Sequence, residues 1–254
     1  MARQWVLLRG LIREQRHWEG FVEQMQSRFP GDTVVALDLP GNGSLHGDSS
    51  PTRIEAMVGA LREQLSSRGL QPPFHVFSLS LGAMVTVSWM TDYPGEVAGA
   101  VLVNTSMARF SPFWHRLRPA NYGRILAALL TRDRLTKERI ILGITTNLID
   151  DQTREAVARR WRDIALDAPV STRNSLRQLR AAARFQAPAH LPGSLPVLVL
   201  NGGKDRLVSP RCSRALADAW DLPLKVHPEA GHDLTLDAGS WALDTLEDWL
   251  SGSG

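Results

Sequence analysis

One cysteine, Cys212, is all the thiol this chain of 254 residues carries. A single cysteine excludes an internal disulfide and fits a reducing, cytoplasmic setting. It falls in a stretch that reads as helix, which predicts a buried structural thiol. Long apolar runs are missing too. Nothing approaches the roughly 18 residues of a membrane span, so no membrane is expected among the partners. The opening segment has four apolar residues, Trp5 to Leu8, before Arg9, too few for a signal-peptide core. The seven histidines show no paired metal-ligand spacing, so no metal is expected. No cofactor is expected either. Gly41 and Gly43 do not follow the first strand or match G-x-G-x-x-G, and Gly203-Lys204 lacks the flanking residues of a phosphate loop. Internal repeats and low-complexity tracts are absent.

What is present is an ordinary globular composition, 43% hydrophobic and 22% charged, in a length that permits one large domain or two small ones. The net charge of +3 hides an asymmetry. Residues 107–190 hold 16 Lys+Arg against 7 Asp+Glu, while the remainder holds 13 against 19. One segment is basic and the rest acidic, a pattern that points to an anionic partner. No aromatic interleaving or nucleic-acid motif accompanies the charge, so nucleic acid is not expected.

Short apolar runs alternate with helical spacing along the chain. Strands are predicted over residues 4–9, 33–37, 74–79, 97–104, 195–201 and 222–227. Helices are predicted over 15–29, 52–67, after the third strand, 210–220 and 240–250. This alternation predicts an α/β fold with a mostly parallel sheet of about six strands, covered by helices on both faces. About 90 residues between the fourth and fifth strands break the pattern, far more than a loop needs. They read as four helices, over 121–131, 136–148, 152–166 and 171–185. The expected organisation is a core of residues 1–106 and 191–254 with an inserted helical cap over 107–190. Residues 251–254 read as a flexible tail.

The third strand ends in Phe77-Ser78-Leu79-Ser80-Leu81-Gly82 and passes straight into an apolar helix. A strand that turns sharply into a helix with a serine at the apex is a nucleophile elbow, with small residues two before and two after the nucleophile. A serine hydroxyl needs a base, and the base an orienting acid. Asp205 lies in the loop after the fifth strand and His232 follows a glycine in the loop after the sixth. Each candidate sits just beyond a strand, where open α/β sheets place their sites.

The order Ser80, Asp205, His232 resembles the α/β-hydrolase family. Leu7-Leu8-Arg9-Gly10 is similar to its "LLHG" segment, and Asp38-Leu39-Pro40-Gly41-Asn42-Gly43-Ser44 to its "D-x-P-G-x-G-x-S" loop. The resemblance implies an oxyanion hole made by the N–H groups of Leu11 and Leu81. Capped carboxylesterases of the pimeloyl-carrier-protein methyl ester type have similar dimensions. Two departures stand out: Ser78 replaces the first glycine of G-x-S-x-G, and Arg9 replaces the usual histidine. Arg9 is expected either to hold a substrate carboxylate or to pair with a nearby acid. Phe110, Trp114, Tyr122 and Trp161 are candidates for an apolar cap underside that contacts substrate. Arg173, Arg177, Arg180 and Arg184 share one helix face, either solvated or a docking surface. Asp38 reads as a structural turn residue.

The expected activity is a serine hydrolase acting on an ester or thioester, with a small-molecule substrate that is anionic or borne on a carrier protein. A lyase or C–C bond hydrolase on the same three residues is an alternative, as is a ligand receptor that keeps the fold without turnover.

Overall fold

In a computed structural model, described over residues 2–193 and 195–252, six strands form one sheet. They are β1 (Gln4–Leu8), β2 (Thr33–Leu37), β3 (Phe74–Leu79), β4 (Val97–Val103), β5 (Val197–Gly202) and β6 (Leu224–His227), in the spatial order β2-β1-β3-β4-β5-β6. Every pair is parallel. The side chains of β1 alternate between two cores, as the period of two requires. Val6 and Leu8 face one core with helices α2 (Glu55–Ser67), α3 (Leu81–Asp92) and α9 (Arg211–Trp220). Trp5 and Leu7 face the other, with α1 (Phe21–Arg28) and α10 (Leu234–Leu250). Both faces are covered, which is why β3, β4 and β5 read as continuous apolar runs. The chain leaves β1 for β2 on one side and returns to β3 on the other. The loops after β1 and β3 therefore diverge, and the crevice between them is where such sheets bind ligands.

Five helices lie between β4 and β5 among the described residues: α4 (Phe113–Arg116), α5 (Tyr122–Leu130), α6 (Arg134–Thr145), α7 (Asp151–Asp167) and α8 (Thr172–Arg184). Three begin at side-chain caps. Asp133, Asp150 and Ser171 accept from the N–H groups of Thr136, Thr153 and Asn174. Leu142, Val157, Ala158 and Trp161 form a small core between α6 and α7. One-turn α4 carries no periodicity to read.

Helix boundaries differ most from expectation at two places. The helix expected over 15–29 is split into a 3₁₀ turn, Gln15–Trp18, and α1. Glu14 and His17 cap each other reciprocally, and Glu19 at φ 52° then reverses the chain. Helix α10 begins six residues earlier than expected, with a break at Ala238 (φ −147°, ψ 49°). The tail expected over 251–254 lies partly outside the described residues.

Candidate active site

Ser80 sits at the apex between β3 and α3 with φ 57° and ψ −111°, a conformation that L-residues rarely hold without surrounding support. That support is visible. The Ser80 N–H donates to Val103 O (2.9 Å), and Thr105 Oγ1 donates to the Ser80 carbonyl (2.9 Å). Gly82 must be glycine, because a Cβ there would lie 2.6 Å from Leu8 O and 2.8 Å from Arg9 O. Ser78 is buried and fulfils more than the small-residue requirement. Its hydroxyl donates to Val101 O (3.2 Å) and accepts from Thr86 Oγ1 (2.9 Å), tying β3 to β4 and α3.

Gly10 lies against the apex: a Cβ there would be 3.1 Å from Ser80 Cβ. The loop after β1 therefore runs beside the serine. Leu81, as the first residue of α3, has an N–H with no carbonyl partner inside the helix. Leu11 follows Gly10 in a turn closed by Arg13 N–H to Gly10 O (3.2 Å). Ile12 (φ 62°) is held from outside the sheet, since its N–H donates to Gln178 Oε1 of α8 (2.9 Å). Gln178 Nε2 also donates to Asn42 Oδ1 (2.7 Å) and Ser50 Oγ (3.0 Å), and Asn174 bonds Ser50 N–H and Asp48 O. The buried face of α8 is thus a polar seam onto the loops after β1 and β2. Leu176 and Leu179, which share the apolar content of α8, stay exposed.

Asp205 is wholly buried. Its Oδ1 accepts from the N–H groups of Leu207 (2.8 Å) and Val208 (2.9 Å), and its Oδ2 lies 2.7 Å from His232 Nδ1. Close backbone approach allows this pairing. A Cβ on Gly202 would lie 2.2 Å from Gly231 O, and one on Gly231 would lie 2.6 Å from Thr145 O. With Nδ1 facing the acid, the Nε2 edge of His232 points away from Asp205.

Arg9 meets an acid. Its Nη1 and Nη2 donate to Asp233 Oδ1 (3.1 Å) and Oδ2 (2.5 Å), both residues are buried, and its guanidinium lies 4.9 Å from the Trp18 ring. Burial pushes the Asp233 carboxyl up, but Arg9, with His232 and Arg13 beside it, holds the group below its usual range. Trp161, 1% exposed, packs in the α6–α7 core and donates to Glu19 Oε1 (2.7 Å). Phe110 packs edge-on to Trp220 at 5.2 Å. Trp114 and Tyr122 are exposed. Among the basic residues of α8, Arg173, Arg180 and Arg184 are exposed, and Arg177 is half-buried with its Nε donating to Ser50 O. Asp38 is structural, accepting from Gln15 and Ser44. Among the described residues no group of His, Cys, Asp and Glu is arranged to hold a metal, and no helix is long and apolar enough to cross a membrane.

Asn104 escapes a reading by motif, and Asp233 and Asp237 read only as rivals of Asp205 for the acid. Asp237 accepts from the N–H groups of Gly231, Asn147 and Leu148, and burial pushes its carboxyl up against those bonds. A glycine-histidine loop followed by two acids is the signal that brings Asp233 and Asp237 to notice.

A six-stranded parallel sheet with a serine elbow after β3, an acid after β5 and a histidine after β6 defines an α/β-hydrolase architecture. The chain belongs to the alpha/beta hydrolase family, whose family model matches residues 5–242, and it is an enzyme of the hydrolase class. A pimeloyl-[acyl-carrier protein] methyl ester esterase of Stenotrophomonas maltophilia (strain K279a) is 26% identical over 219 residues, covering 84% of this chain and 78% of the relative. Among solved structures, the enol-lactonase from Burkholderia xenovorans LB400 superposes with a TM-score of 0.78 at 20% identity, covering 99% of this chain and 92% of that one. A thermophilic esterase from Thermogutta terrifontis gives 0.74 at 21% identity, covering 100% and 91%. These two structural likenesses speak to the fold.

Proposed function

We propose that the protein cleaves a carboxylic ester or thioester through an acyl-enzyme. Ser80 Oγ attacks the acyl carbon while His232 Nε2 takes its proton. Asp205 holds the imidazole and stabilises its charged form. The N–H groups of Leu11 and Leu81 face the oxyanion, and two such donors are worth several kcal/mol, about 3 each at the lower end. His232 returns the proton to the leaving group, and water then releases the acyl chain. The observation that carries this reading is the 2.7 Å contact between His232 Nδ1 and a fully buried Asp205, with Ser80 on a strained turn.

Residues 107–190 act as a cap over the Ser80 crevice, with 1–106 and 191–254 as the core. Ten of the eleven exposed large hydrophobics among the described residues lie in this segment, Phe113, Trp114 and Leu130 among them. It is also the basic segment. Apolar surface beside guanidinium groups suits an acyl chain attached to an anionic group, whether a free carboxylate or an acidic carrier. The esterase relative, whose substrate is a carrier-borne ester, supports the same class. A cytoplasmic setting fits the free, buried Cys212. Both terminal nitrogens of Arg9 are engaged by Asp233, so an anionic substrate, in this reading or in the lyase alternative, would have to meet the arginines of the cap instead.

The test is turnover of p-nitrophenyl esters together with labelling by a fluorophosphonate. Both are expected in the parent, and Ser80→Ala and His232→Ala should lower kcat at least about 10³-fold. Turnover that survives Ser80→Ala would overturn the assignment.

A further inference from the structure

We infer that the Arg9–Asp233 pair is a positioning device that sets the separation between the loop carrying the Leu11 N–H and the loop carrying His232. The inference rests on the hydrolase reading above for its kinetic meaning, and on geometry for the rest. Arg9 immediately precedes Gly10, which touches the Ser80 apex. Asp233 immediately follows His232. Two parallel N–H···O contacts of 3.1 and 2.5 Å join them across 224 residues of sequence, and a fork of this kind fixes orientation as well as distance.

Both ends are themselves anchored. The Arg9 guanidinium lies against Trp18, which packs on Phe21 and Phe77. The Asp233 N–H donates to Thr145 O at 2.8 Å. Asp233 is also the N-cap of α10, yet its side chain caps no helix N–H. Aspartate is among the preferred residues for that role. Its carboxylate is instead turned to Arg9, so the helix start is left without its side-chain cap and the loop-to-loop contact is made. A buried ion pair contributes little net stability against apolar residues of similar volume. What the pair supplies is a fixed distance between two loops that must act on one carbonyl carbon. Arg13 extends the arrangement: it pairs with Glu138 of α6 at 2.8 Å and lies 4.2 Å from the Trp161 ring. The loop after β1 is thereby held from the insertion as well.

The test separates position from stability. The combined variant Arg9→Met with Asp233→Val removes both charges at nearly the same total volume, and it should melt within a few degrees of the parent. With p-nitrophenyl butyrate its KM should stay within about twofold, while kcat falls roughly 10- to 100-fold, as small misplacements do. A folded double variant with kcat within twofold of the parent would overturn the inference. Should that variant not fold, Arg9→Lys keeps the charge and loses the fork; a several-fold loss of kcat is expected, and an unchanged kcat again overturns it. Ser80→Ala, run alongside, tells whether the turnover belongs to this site. A parent without Ser80-dependent turnover sinks the hydrolase reading only. The positioning is then read from the His232 ring nitrogen resonances, which should shift or exchange faster in Arg9→Lys; identical resonances reject it.

Discussion

Asn104 holds the backbone of His232. Its side-chain amide donates to the His232 carbonyl at 2.7 Å and to Gly231 O at 3.0 Å, while its own oxygen accepts from Gly202 N–H (2.8 Å) and Asn201 Nδ2 (2.6 Å). One buried amide therefore joins the ends of β4 and β5 to the histidine loop. Thr105, the next residue, holds the Ser80 carbonyl. Asn104 has φ 46°, a conformation asparagine tolerates better than most side chains. Asn104→Ala should cost about 2–3 kcal/mol, because several buried groups lose their partner, and it should lower kcat as well. Asn104→Gly keeps the backbone conformation and loses only the amide. If urea denaturation finds Asn104→Ala as stable as the parent, the amide is not holding the loop.

Strain at the elbow separates stability from activity. Ser80 is held at φ 57°, ψ −111°, which costs a residue with a Cβ on the order of 1–3 kcal/mol. Ser80→Ala keeps the Cβ and the strain, so its melting temperature should match the parent. Ser80→Gly relieves the strain against an entropic loss of about 0.5–1 kcal/mol. The glycine variant should therefore melt a few degrees above the alanine variant, with both inactive. A glycine variant melting below Ser80→Ala would mean that no strain is stored there.

Much of this architecture was legible because it is periodic or local. Five of the six strands read as apolar runs bounded by turn residues, β6 (Leu-Lys-Val-His) being mixed, and the loops after β3, β5 and β6 carry Ser80, Asp205 and His232. The long helices of residues 107–190 were legible as helices, whereas the caps at which two of them begin, Asp150 and Ser171, are seen in the structure. What was illegible depends on contacts between distant segments. Nothing local says that Arg9 meets Asp233 or that Asn104 reaches His232. The buried seam of α8, Asn174 and Gln178, hides for a different reason: it is polar where burial normally reads as apolar. Leu176 and Leu179, the residues a hydrophobic pattern selects on that helix, face away from the core.

Gly82 shows how tightly the elbow is seated on β1. Helix α3 approaches so closely that an alanine Cβ would meet two backbone oxygens, Leu8 O and Arg9 O, neither of which can rotate aside. Gly82→Ala should destabilise by about 1–3 kcal/mol through overpacking. It should also displace Arg9 and the loop that follows, so kcat should fall in the protein that remains folded. Gly143→Ala in α6 provides the contrast. Nothing lies within 4 Å of its added Cβ, so a gain of up to about 1 kcal/mol from helix propensity is expected. Thermal melts of the two variants beside the parent decide it: a Gly82→Ala protein as stable as Gly143→Ala would show that α3 can withdraw from β1 without penalty.

Acid sensitivity should begin at His17. This ring is buried between Arg13, whose Nη1 lies 3.3 Å from Nε2, and Trp161, whose ring centre is 5.0 Å away. Burial, then the positive charges of Arg13 and Arg9, hold its pKa well below the ordinary 6.5, against the opposing pull of Glu138 and of its backbone bond at Glu14. The unfolded chain therefore binds a proton near pH 6.5 that the folded chain refuses. Stability from this group is complete above about pH 6.5 and is lost as pH falls below it, by at most about 1.4 kcal/mol per pH unit. Asp233, whose carboxyl is also held low, adds its own loss only at more acidic pH. His17→Gln can still accept from the Glu14 N–H and carries no proton to gain. Between pH 7 and pH 5 the parent should lose stability faster than this variant in urea titrations. Parallel curves across that window would show that His17 titrates alike in the folded and unfolded chain, and that the cluster around Arg13 does not govern acid stability.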